Sequence, residues 1–65
     1  MIIFDFELER GGPLRGAILE DRNGVLTVGV VTRRGRVVRA VPAPPDVLNV
    51  PPSALRVLLG YRTVV

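Results

Sequence analysis

Sixty-five residues, 48% of them apolar, with a mean hydropathy of +0.37 and a net charge of +3, describe one small domain (1–65) with little interior. A chain this short buries only about 60% of its unfolded surface, and such scaffolds are usually reinforced by disulfides, a metal or oligomerisation. Cysteine and histidine are both absent, which excludes disulfides, thiolate metal sites and the commonest catalytic base, and leaves a homo-oligomer as the expected device.

Ile2 to Glu9 alternates, with Ile2, Phe4, Phe6 and Leu8 on one face and Asp5, Glu7 and Glu9 on the other. Period two over eight residues predicts a half-buried strand. Arg10-Gly11-Gly12-Pro13 breaks it, and Leu14 to Arg22 reads as a second strand. Asn23-Gly24 predicts a type I′ turn, because both residues tolerate positive φ. Val25 to Arg33 is the third strand, and Arg34-Gly35, eleven positions after the first turn, forms the second hairpin tip. Arg36 to Val41 is the fourth strand. Gly16 and Gly29 lie inside strands and predict bulges or tight bends.

Pro42-Ala43-Pro44-Pro45 ends the sheet and reads as a stiff crossover. Residues 52–59 admit two readings. Pro52 near the start, Gly60 past the end and Leu55, Leu58 and Leu59 on one face suit a two-turn α-helix. A single 3₁₀ turn at Pro52–Leu55, then a closing strand through Val57 or beyond, suits the strand preference of Val57, Tyr61, Thr63, Val64 and Val65. The second is the reading adopted. The expected fold is all-β: a small five-stranded barrel with one short helical turn near Pro52–Leu55.

That order of elements, over roughly Leu14 to Leu59, resembles the SH3-like small barrel, a fold that hosts many unrelated tasks. Val47-Leu48-Asn49-Val50-Pro51-Pro52-Ser53-Ala54-Leu55 is similar to the closing segment of the plasmid-borne type II dihydrofolate reductases. Those are tetramers of a small barrel around one pore. The resemblance implies packing roles for Val47, Pro51, Ala54 and Leu55. The family lines its pore with a Gln-Ile-Tyr run before the proline. Here that run is Leu48-Asn49-Val50, so the reductase activity does not carry over.

No stretch approaches the ~20 apolar residues of a membrane span. Asp5, Glu7 and Glu9 interrupt the amino-terminal apolar run that a signal peptide would need, so no membrane association and a cytoplasmic setting are expected. Glu20 and Asp21 are neighbours and point to opposite faces of a strand, so they form no catalytic dyad. Asp5, Glu7 and Glu9 share a face and read as a solvated row that pairs with arginine on a neighbouring strand or subunit. With no phosphate loop, nucleophile elbow or acid–base pair, neither an enzyme nor a cofactor nor a small-molecule substrate is expected.

Charge is split along the chain. Residues 1–21 hold five acids against two arginines, net −3, and residues 22–65 hold seven arginines against one acid, net +6. Arg33, Arg34, Arg36 and Arg39 fall within seven residues at and after the second hairpin tip. Guanidinium forks match phosphate oxygens, and a two-stranded ribbon is slim enough for a major groove. These four arginines are therefore the candidate contact site for a polyanion, nucleic acid first and an acidic protein next. The alternative is a self-assembling structural or adaptor protein of a larger complex or phage particle, with exposed valines on the third and fourth strands and the acidic row as its contacts.

Overall fold

Four strands run antiparallel in chain order: β1 (Ile2–Glu7), β2 (Arg15–Glu20), β3 (Leu26–Val31) and β4 (Val37–Pro42). A 3₁₀ turn, Val47–Asn49, and one helix, α1 (Pro52–Leu58), follow. The computed structural model describes residues 1–62. The closing-strand residues Thr63, Val64 and Val65 lie outside that range.

Both hairpins use one loop geometry. The Gly24 amide donates to the Asp21 carbonyl at 3.1 Å, and the Gly35 amide donates to the Thr32 carbonyl at 2.9 Å. The Asp21 and Thr32 amides in turn donate to the carbonyls of Val25 and Arg36. Gly24 and Gly35 sit at φ +79° and +81°, whereas Asn23 and Arg34 keep negative φ. These are three-residue loops, a type I turn closed by a left-handed glycine, and not the type I′ turn expected at Asn23-Gly24. The reason lies one residue earlier. Asp21 Oδ1 accepts the amides of Asn23 and Val25 at 2.8 and 2.9 Å, and Thr32 Oγ1 accepts that of Arg36 at 3.2 Å. A side-chain acceptor ahead of the turn holds the longer loop.

The register places Phe6, Gly16 and Val30 in one row and Ile18 and Val28 in the next. This face carries the core. Phe6, Ile18, Val28 and Val30 are buried on it, with Leu8 just past β1, and Val47, Leu55 and Leu59 cover them. Gly16 leaves the space that the Phe6 ring occupies: a Cβ there would fall 2.2 Å from Phe6 Cε2. Gly29 likewise faces Leu19 Cδ1 and the Arg39 carbonyl. Neither glycine marks a bulge. The register shifts instead at Ile3 in β1 and at Val38 in β4. The opposite face also buries Ala17 and Val31. The second hairpin curls toward it, so that Ile2 Cδ1 lies 4.0 Å from where a Gly35 Cβ would stand.

Among the described residues the sheet is open with four strands, not a closed barrel of five. Val57, expected to begin the closing strand, is helical instead: α1 runs through Leu58. Tertiary packing outweighs the strand preference here. Leu55 and Leu59 are four apart and both insert into the core, while Val57 is 57% exposed. The 3₁₀ turn lies earlier than expected, at Val47–Asn49. Pro52 occupies the first turn of α1, where a missing amide costs nothing. The helix ends in a pair of reversed bonds, Gly60 amide to Val57 carbonyl at 2.9 Å and Tyr61 amide to Arg56 carbonyl at 2.8 Å. Of the four packing positions implied by the reductase resemblance, Val47 and Leu55 are buried and Pro51 and Ala54 are exposed.

Candidate polyanion-contact site

The nine arginines are not equivalent. Arg15, Arg39 and Arg56 are engaged within the chain. Arg15 Nε approaches Asp5 Oδ2 at 3.3 Å on the sheet's outer face, the neighbour-strand pairing expected for the acidic row. Both side chains are about half exposed, and a pair so placed contributes at most about 1 kcal/mol. Arg56 Nε donates to the Leu8 carbonyl at 3.1 Å and its Nη2 to the Arg62 carbonyl at 3.0 Å, pinning α1 to the end of β1.

Arg39 stands apart from the hairpin tip. It lies opposite Val30 in the ladder, and its Nη2 donates to the carbonyl of Leu59. That carbonyl is at the end of α1, which the reversed bonds from Gly60 and Tyr61 leave free. A cation at a helix carboxy terminus also meets the negative end of the helix dipole. Arg39 is thus committed to holding α1 on the sheet.

Arg33, Arg34 and Arg36 remain together on the tip, all exposed. Among the described residues none of these three guanidinium groups has a hydrogen-bonding or ionic partner. The Thr32 hydroxyl and the Gly35 turn fix the backbone that carries them. With Pro13, Leu14 and Thr32 they line an open groove of about 500 Å³. Its lining combines apolar Pro13 and Leu14 with the three guanidinium-bearing side chains. Sequence reasoning grouped four arginines by spacing, and the structure brings three of them to one place. Pro13 and Leu14, from the loop before β2, are the neighbours that spacing could not reveal.

Arg33 also borders a second groove, of about 210 Å³, with Glu7, Glu9 and Arg15. The positive face of the tip is therefore bounded by acids on the β1 side. An anion meets least repulsion from the side of Arg34 and Arg36. Among the described residues, no three of His, Cys, Asp and Glu gather into a metal-ligand cluster, and no helix is long and apolar enough to cross a membrane. No family model matches this chain, and no curated protein or solved structure is significantly similar to it.

Proposed function

We propose that this chain is a non-enzymatic binding module whose second hairpin tip contacts a polyanion, with nucleic acid the first partner to test. The observation that supports this reading is the cluster at the tip: Arg33, Arg34 and Arg36 line one groove and have no partner among the described residues, whereas Arg15, Arg39 and Arg56 are engaged. Arginine gives bidentate, planar contacts to phosphate oxygens. The turn geometry holds three such groups on a stiff hairpin. Pro13 and Leu14 beside them supply apolar surface for the non-phosphate part of the ligand.

The test is binding of labelled duplex across a salt series. Each phosphate contact contributes about −0.9 to the log–log slope, so three contacts predict a slope of roughly −3. Replacing Arg33, Arg34 and Arg36 together with serine is expected to abolish most of that slope. Arg39→Ser serves as the internal comparison. It is expected to leave the slope unchanged and to lower stability by about 1 kcal/mol through loss of its bond to Leu59. No binding at low salt, or a triple variant that binds like the parent chain, would retire this reading.

A further inference from the structure

A groove larger than the one at the arginines lies elsewhere on the chain. It lies between the start of β1 and the segment that leads into α1, and it measures about 580 Å³. Ile3, Phe4, Leu48, Val50, Pro51 and Pro52 line it, and none of the residues lining it is charged. In a chain with 23% charged residues, an uncharged groove of that size is a departure that calls for a cause. Its walls are open to solvent: Ile3 is 41% exposed, Phe4 47% and Leu48 62%. The bulge at Ile3 explains how two successive residues of one strand reach the same groove.

The groove runs beside a free strand edge. Among the described residues, β1 has β2 as its neighbour on one side and no strand on the other. Exposed edges normally carry a charge, a proline or a bulge to block pairing with another chain. β4 follows that rule: it has the bulge at Val38, ends on Pro42, which has no amide to donate, and carries Arg39 within it. The amino-terminal half of β1 has only the bulge at Ile3, with neither a charge nor a proline. Ile2, Ile3 and Phe4 form an uncharged, strand-forming edge, and the bulge at Ile3 turns no charge toward it.

We propose that two copies of this chain associate through the amino-terminal half of β1, the strands antiparallel, with each groove taking up apolar side chains of the other copy. A second copy is the occupant that these features fit. It must be apolar, must offer an unblocked strand edge and must tolerate the acids just beyond. A two-fold axis at Phe4 pairs Phe4 with its own copy and sets Ile3 against Asp5 of the second chain. Neither Asp5 nor Glu7 then faces its own copy, so like charges are kept from direct opposition. The contact is isologous and closes at two chains, because β4 is blocked and offers no continuing edge. It also supplies the reinforcement that a domain of this size and composition lacks.

Sedimentation velocity over a micromolar concentration range tests the proposal, with circular dichroism as the check on folding. The parent chain is expected at twice its monomer mass. Ile3→Glu is expected to weaken association about a hundredfold or more, because it sets a carboxylate directly against Asp5 of the second chain inside the contact. Leu48→Lys, at a side chain the isolated fold leaves exposed, is expected to do the same while the fold persists, so the test survives if Ile3→Glu misfolds. Val38→Lys on the far edge and the triple serine variant of the hairpin tip are expected to keep the dimer mass. A monomeric parent chain, or dimers that survive both Ile3→Glu and Leu48→Lys, would overturn the proposal. Dissociation caused by Val38→Lys or by the tip variant would overturn it in favour of a head-to-tail contact between the basic hairpin and the acidic row. Each of these results is independent of whether the tip binds nucleic acid.

Discussion

Leu55→Ala is expected to remove about 2–5 kcal/mol of stability, in a domain whose whole stability is about 3–10 kcal/mol for its length. Leu55 is 1% exposed and belongs to the cluster formed by Phe6, Ile18, Val28 and Val30. A helix of seven residues does not hold its shape alone in water, so α1 depends on Leu55 and Leu59 for its existence. Truncating Leu55 both leaves a cavity and loosens the cover over the sheet's core face. Urea unfolding followed by circular dichroism measures the loss. Val57→Ala, on the exposed side of the same helix, is expected to stay within about 0.5 kcal/mol of the parent. A Leu55→Ala loss below about 1 kcal/mol would mean that the helix does not hold the sheet.

Gly16→Ala is the second large effect. The added Cβ would stand 2.2, 2.4 and 2.8 Å from three atoms of the Phe6 ring. Phe6 is 5% exposed and packed into the core, so its ring cannot simply swing into solvent. Overpacking of this kind costs about 1–3 kcal/mol and sometimes more. The cause is testable by a double-mutant cycle. Phe6→Leu should lower stability on its own, yet the pair Gly16→Ala with Phe6→Leu should be less damaged than the sum of the two. A coupling of at least about 0.5 kcal/mol is expected. Additive losses would show that Gly16 matters for its backbone and not for the ring above it.

These two sites also show what the sequence makes legible. The alternation in Ile2–Glu9, the glycines of both turns and the runs between them locate all four strands to within two residues at each end. Turn type was not legible, because Asp21 and Thr32 act through side-chain oxygens ahead of the pairs that carry the turn signal. The helix was written in Pro52, Leu55, Leu59 and Gly60. Reading it required knowing that Leu55 and Leu59 would find a core to enter, and Val57 argued locally for a strand. Once those residues form a helix, no strand remains among the described residues to bridge β1 and β4, and the barrel stays open. The arginines of the tip were visible as a charge run. Arg39 was grouped with them because spacing along a chain does not reveal its bond to a carbonyl twenty residues away.

The strict chain-order sheet bears on how the molecule assembles in time. Every strand pairs with its sequence neighbour, so each hairpin can zip from its own turn without a long loop to close. The step that closes a long loop is the docking of α1, where Arg56 reaches the Leu8 carbonyl across 48 residues. The sheet is therefore expected to form first and the helix to settle on it afterwards. A φ-value near the high end at Val28 and near zero at Leu55 would mark that order, and the reverse would contradict it. Until the helix arrives, the apolar rows of the core face stand open to solvent, so this domain passes its most aggregation-prone moments with its backbone ladder already complete.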